Sequence, residues 1–174
     1  MPLIYVTGIE TAGKTTTCKE LQKRGYEAYD VDEGIAHFYN VVTGKQGKWV
    51  DSATGRSESW YNQHEYLMDR NQVEKLAKKA KNKPIFLCGT TRLDFLVTDL
   101  FDQIIYLYLD EATLKQRLAI RQSFEWGSAP YERDMILGWH KPTEDDYRNY
   151  GATMIDATRP IGEVMNGILQ AAEI

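Results

Sequence analysis

Apolar residues in this chain follow two patterns, short unbroken runs and longer stretches where they recur every three or four residues. Leu3–Val6, Pro84–Gly89 and Ile104–Leu109 are runs apolar on both faces, as strands buried inside a parallel sheet must be. Tyr26–Val31 and Ala152–Asp156 read as two further strands. Helical spacing predicts helices over Thr16–Arg24, from Glu33 to about Tyr39, over Trp60–Lys81, after the capping residue Asp110, from Glu132 to about Tyr150, and over Ile161–Ala172. In the third of these, Trp60, His64, Leu67, Met68, Val73, Leu76, Ala77 and Ala80 carry the period. Lys75, Lys78, Lys79 and Lys81 suit its C-terminal end, where the helix dipole favours positive charge. Residues 41–59, rich in Gly, Ser, Thr and charge, read as an excursion over the sheet, and 122–131, with Gly127, Ser128 and Pro130, as a break between helices. Strands alternating with helices predict an α/β fold, a five-stranded parallel sheet with helices on both faces.

Length and charge narrow the picture. A chain of 174 residues makes one domain with enough core to need no staples. Its net charge of −4 gives no general attraction to nucleic acid or to an anionic membrane. Cys18 and Cys88 lie far apart inside apparent core elements and read as buried thiols of a reducing compartment. The three histidines and two cysteines form no zinc pattern. The chain enters its first strand at once, which leaves no room for a signal peptide, and no apolar run is long enough to span a bilayer. A cytoplasmic location is expected.

The stretch Gly8-Ile9-Glu10-Thr11-Ala12-Gly13-Lys14-Thr15 supplies the chemistry. It fits Gly-x-x-x-x-Gly-Lys-[Ser/Thr], preceded by a strand and followed by a helix, the context this phosphate-binding loop requires. Loop amides and the free N–H groups of the helix start converge on one point, where an anion is favoured. Gly8, Glu10, Thr11, Ala12, Gly13, Lys14, Thr15 and Thr16 are therefore expected to cradle the phosphates of ATP. Lys14 would reach the outer phosphates, and the Thr15 hydroxyl would ligate the Mg²⁺ carried with them.

In an open parallel sheet ligands sit at the carboxyl ends of the strands. That rule gathers Asp30, Asp32, Cys88–Arg92 and Asp156–Arg159 beside the loop. Asp30 and Asp32, two apart on an extended segment, point the same way. One can hold the metal and the other can orient or deprotonate an attacking hydroxyl; Asp30 is placed with Thr15 on the metal and Asp32 on the acceptor, with the reverse open. The plainer alternative makes Asp32 a helix cap. Arg92, Arg117 and Arg121 offer fixed donors to phosphate oxygens or a flat face to a purine, or Arg117 and Arg121 pair with Glu111 or Glu125. Arg56, Trp60, His64 and Arg70 would line a pocket for the second substrate.

At full length the chain resembles the nucleoside-monophosphate kinase and shikimate kinase branch of P-loop proteins, including small members described only as nucleotide kinases. Asp30-Val31-Asp32 resembles the Asp-x-Asp of shikimate kinases, whose acids serve metal and acceptor hydroxyl. Cys88-Gly89-Thr90-Thr91-Arg92 is similar to the adenylate kinase Asp-Gly-Phe-Pro-Arg stretch, whose arginine contacts phosphate. Arg117-Leu118-Ala119-Ile120-Arg121 resembles the helix entering the mobile lid, with its first arginine near the adenine. Ile155–Pro160 resembles the segment wrapping that base, so Thr158, Arg159 and Pro160 join the nucleotide-binding set. Cys88 stands where a Walker B acid would be, so a second metal anchor must come from Asp30 or Asp32. The resemblance implies one P-loop kinase-like domain over 1–174, an acceptor-side excursion at 41–60 and a short lid at 122–131. Its activity would be transfer of the γ-phosphoryl of Mg-ATP to a small metabolite or nucleotide, with Lys14, Asp32, Arg92 and Arg121 carrying the reaction. The alternative is a nucleotide-dependent switch acting on a protein partner, and that partner stays unknown.

Overall fold

The computed structural model describes residues 2–50 and 55–174. Five strands form one parallel sheet: β1 (Leu3–Gly8), β2 (Glu27–Asp30), β5 (Ile85–Cys88), β6 (Gln103–Tyr108) and β7 (Thr153–Asp156), in the order β2-β5-β1-β6-β7. The phosphate loop therefore leaves the middle strand. Alternate residues of each strand enter different layers, as the strand's two-residue period dictates. Ile4, Val6, Phe86, Cys88, Ile105 and Leu107 pack into one cluster with Cys18, Leu21, Leu114, Leu118, Ile136 and Met165. These come from α1 (Lys14–Lys23), α4 (Glu111–Ala119), α5 (Pro130–Asn149) and α6 (Ile161–Ala171). Leu3, Tyr5, Ile85 and Leu87 pack into the other, against Val31, Ile35, Met68, Val73 and Val97. Cys18 and Cys88 are both buried free thiols. Among the described residues no helix is long and apolar enough to cross a membrane.

Two expected helices are replaced by a hairpin. Instead of a helix from Glu33 to Tyr39, the chain turns at Gly34, whose φ of +90° is left-handed, and runs as β3 (Ala36–Asn40). The helix expected over Trp60–Lys81 is three elements: α2 (Glu58–Asn62), β4 (His64–Met68) and α3 (Arg70–Ala80). β3 and β4 pair antiparallel, Ala36 against Met68 and Asn40 against His64. Asp69 ends the strand and caps α3, its carboxylate accepting from Asn71 N at 2.9 Å. A cap side chain in mid-segment satisfies helix-start N–H groups, so the chain gains more by restarting than by continuing. The excursion at 41–60 thus runs from the end of β3 into the start of α2; its residues 51–54 lie outside the described residues.

Candidate functional site

Three backbone features shape the loop after β1. At Gly8 a Cβ would stand 2.4 Å from the Leu107 carbonyl oxygen, so the loop passes β6 only as glycine. Gly13, at φ +92°, caps α1 with no side-chain hydrogen bond, which leaves the first-turn N–H groups facing the loop's hollow. Thr11 is also left-handed, at φ 63°, and its Oγ1 is buried without a partner. Lys14 Nζ donates to the Gly8 and Ile9 carbonyls at 2.8 and 2.9 Å. Burial lowers the Lys14 pKa, and the nearby Glu10 and Asp32 carboxylates oppose that shift. From α4, Arg117 donates to the carbonyls of Thr11 at 2.9 Å and Ala157 at 3.1 Å, clamping the loop to the segment after β7.

Asp30 ends β2 and lies beside Cys88 in the sheet register. An acid missing from the end of β5 is thus present one strand over. Its Oδ1 accepts from Asp32 N at 3.0 Å, which turns the chain and directs Asp32 into the cleft. Asp32 accepts from the Tyr66 hydroxyl at 2.5 Å. Burial raises the Asp32 pKa; the Asp30 and Glu10 charges add to this, while the Tyr66 hydrogen bond and Lys14 oppose it. The result is a carboxylate more basic than an ordinary one, close to the phosphate-loop lysine.

One cavity of about 1330 Å³ joins the loop to these acids and to the hairpin and α5. Gly8, Glu10, Thr11, Gly13, Lys14, Thr15, Thr16, Asp30, Asp32, His64, Arg92 and Arg121 all line it. Ala12 is buried beneath the loop. Arg92 Nε stands 3.4 Å from Glu65 and Arg121 Nη1 2.7 Å from Glu125. Thr158 donates its backbone N–H to Asp156 at 2.9 Å and Arg159 Nε pairs with Asp156 at 3.3 Å, so this turn, with Pro160 opening α6, closes on itself beside the Arg117 clamp.

Three expected substrate-side residues are elsewhere. Arg56 is wholly buried, its Nε 2.8 Å from Glu132 and its other nitrogens on the carbonyls of Val50, Phe124 and Glu125; it is an internal strut. Trp60 backs the cavity wall, stacking on His64 at 4.3 Å between ring centres and packing edge-on against Phe38. Arg70 is engaged by Asp99, at 2.6 Å, on the outer surface.

Sequence reasoning missed Tyr66, because the strand carrying it was read as helix, and Asp94. The buried Asp94 carboxylate faces the cavity and accepts from Tyr5 at 2.7 Å, Tyr147 at 2.6 Å, Thr91 N at 2.8 Å and the Thr91 hydroxyl. It ties β1, α5 and the turn bearing Arg92 together. Burial raises its pKa against those four donors. Glu10 was placed on the loop, but its hydrogen bond from Trp126 Nε1 at 3.1 Å, which joins the loop to the 122–131 segment, leaves no trace in the sequence.

The residues present fit a nucleotide's phosphates. The uncapped α1 start, the orphaned Thr11 hydroxyl and the exposed hydroxyls of Thr15 and Thr16 face the same hollow as the Lys14 ammonium. Among the described residues no group of three or more His, Cys, Asp or Glu side chains could hold a metal by itself.

Comparison with known proteins agrees with this geometry. A family model described as an AAA domain matches residues 4–135. The chain is 26% identical to a dephospho-CoA kinase of Streptococcus pyogenes serotype M1, over 97% of this chain and 95% of that protein. Among solved structures it is similar in fold to deoxyadenosine kinase from M. mycoides with bound dATP (TM-score 0.58, 17% identity, all of both chains covered). It is also similar to shikimate kinase from Acinetobacter baumannii in complex with shikimate (TM-score 0.56, 16% identity, 99% of this chain and 93% of that one).

Proposed function

The chain belongs to the AAA domain family, and from that premise we propose that it is an ATP-dependent kinase, moving the γ-phosphoryl of Mg-ATP to a small metabolite or nucleotide. The observation that carries this reading is that Lys14 and Asp32 share one cavity. A phosphate loop and a carboxylate of raised basicity then flank the space where a transferring group would pass. The named relatives, a dephospho-CoA kinase, a deoxyadenosine kinase and a shikimate kinase, fit the same class.

The residues divide the work as follows. Loop amides and Lys14 hold the β- and γ-phosphates; Thr15 with Asp30 would hold the Mg²⁺ that accompanies them, and that ion would supply charge neutralisation to the phosphates. Arg117 and the Thr158–Pro160 turn shape the adenine side. Asp32 accepts the proton of the attacking hydroxyl, with Tyr66 fixing its orientation. Arg92 and Arg121 line the path between donor and acceptor and supply guanidinium donors to the equatorial oxygens, on leaving Glu65 and Glu125. The 122–131 segment, joined to the loop through Trp126 and Glu10, acts as a short lid that excludes water. The buried reduced thiols suit a cytoplasmic protein.

The test is a panel of hydroxyl and phosphate acceptors incubated with Mg-ATP, with products identified by their gain of a phosphoryl group. At least one acceptor should be phosphorylated by the wild type and none by Lys14→Ala. ADP release that no acceptor accelerates, but a protein partner does, would replace the kinase with a nucleotide-dependent switch.

A further inference from the structure

The acceptor half of the cavity has a composition of its own. Phe95, Phe124, Trp139 and Tyr150 are 64%, 58%, 36% and 64% exposed, yet all four line this one cavity. Large apolar rings held open to solvent in one concave place mark a binding surface. On the hairpin side Phe38 and Tyr66 pack with ring centres 4.6 Å apart and Phe38 stacks on Trp49 at 5.6 Å, and these three rings line the cavity as well. Rings thus line the cavity from the hairpin, by Phe38 and Tyr66, and from α5 and its end, by Trp139 and Tyr150, while Trp49 is itself engaged by Phe38 and by the Arg56 guanidinium 4.5 Å from its ring centre.

Charge decides what kind of ring compound fits. Glu10, Asp30, Asp32, Asp94, Glu125 and Asp146 line the cavity, against Lys14, Lys48, Arg92 and Arg121. Lys14 serves the phosphate loop, and Arg92 and Arg121 are paired with Glu65 and Glu125. Among the described residues that leaves the exposed Lys48 as the cation not already engaged. An acidic acceptor would enter a field of its own sign, with Arg92 and Arg121, once they leave Glu65 and Glu125, already assigned to the transferring phosphoryl group.

Resting on the kinase reading above, we propose that the acceptor side is a nucleoside site: an uncharged base stacked among the aromatic rings, with a sugar hydroxyl presented to Asp32. Every base has a π-face, so such stacking secures the ring without an anionic handle. A ringless sugar acid would leave the rings solvated and its carboxylate unpaired.

Equilibrium dialysis separates the possibilities, using adenosine, guanosine, cytidine and thymidine, their 5′-monophosphates, and the non-aromatic acids gluconate and shikimate. It is run on the whole chain with a non-hydrolysable ATP analogue. At least one nucleoside should bind saturably and roughly tenfold more tightly than its own monophosphate or either acid. Trp139→Ala should weaken that nucleoside by roughly tenfold, the scale of one lost base–aromatic stack, while Trp139→Phe holds it within about threefold. Tighter binding of a monophosphate or a non-aromatic acid, or nucleoside affinity unchanged in Trp139→Ala, overturns the nucleoside site. Because binding is read without turnover, the two readings fail separately. Phosphorylation confined to an acceptor without an aromatic ring overturns the nucleoside site and leaves the kinase. A nucleoside that binds but is never phosphorylated supports the site and removes the kinase.

Discussion

Arg56 Nε lies 2.8 Å from Glu132 Oε1, with neither side chain reaching solvent. The pair joins the acceptor-side excursion to the start of α5, and Glu132 also takes the N–H groups of Gly127 and Ala129 at 2.9 and 3.1 Å. Burial disfavours the Arg56 charge and Glu132 restores it, leaving the guanidinium pKa raised. Removing one partner strands a buried charge. Arg56→Ala should therefore cost about 3–5 kcal/mol, read from the urea midpoint. Arg56→Lys should also destabilise, because a single ammonium cannot reach the carbonyls of Phe124 and Glu125 together with Glu132. Wild-type stability in Arg56→Ala would contradict the strut.

Stability should also titrate at the sheet edge. Burial works against the Glu27 charge, but hydrogen bonds from Lys79, Lys83 and Tyr29 hold its pKa down to about 2, from an ordinary 4.5. A depressed folded-state value means the folded form prefers the carboxylate. The contribution is complete above about pH 4.5 and is lost as pH falls through about 2. Glu27→Gln should be less stable than wild type at pH 6, and the two unfolding curves should converge toward pH 2. A difference that stays constant down to pH 2 would refute the assignment.

Gly89 sets the position of the acids. A Cβ there would stand 2.0 Å from Val31 Cγ2, and φ is +149°. Val31 is wholly buried between Asp30 and Asp32, so it can yield only by moving both. Gly89→Ala should lower stability by about 1–3 kcal/mol and lower transfer more than ATP binding. Adding Val31→Ala should return part of the lost transfer. Normal transfer in Gly89→Ala would show that the turn need not hold the acids.

The proposed lid is read by hydrogen exchange over 122–131. Glu132 holds the N–H groups of Gly127 and Ala129, whereas Phe124, whose carbonyl accepts from Arg56, keeps its side chain exposed. A bisubstrate analogue should add protection at 122–126 and change little at 127–131. Equal exchange with and without the analogue would remove the lid.

How far these features could be read from sequence followed from how local their causes are. The central strands β1, β5 and β6 were legible because burial on both faces forces unbroken apolar runs, whereas the edge strands β2 and β7 carry polar residues and partly exposed positions. The loop was legible because its chemistry depends on Gly8, Gly13, Lys14 and Thr15 at fixed spacing. The hairpin was not, since Trp60, His64, Leu67 and Met68 satisfy helical spacing by coincidence; the partner that makes 64–68 a strand lies at 36–40. Arg56 read as a substrate ligand because an arginine in a polar stretch is normally exposed. Nothing near it in the chain announces Glu132. Asp94 was hidden likewise, since two of its partners, Tyr5 and Tyr147, are distant in sequence.

Asp32→Asn tests phosphoryl transfer to a hydroxyl most directly. The substitution keeps the shape and the contact with Tyr66 but removes the basic oxygen. In the wild type, acceptor-stimulated ADP release should fall as pH drops, because protonation disables the base. That limb should lie above the ordinary carboxylate value of 3.8, since burial raises the Asp32 pKa. Measured at pH 7.5 with an identified hydroxyl acceptor, Asp32→Asn should lower acceptor-stimulated release by ~10²–10⁴-fold. ATP affinity should stay within about threefold, or ~0.7 kcal/mol. Undiminished transfer in the variant would contradict the assignment of Asp32 as the base.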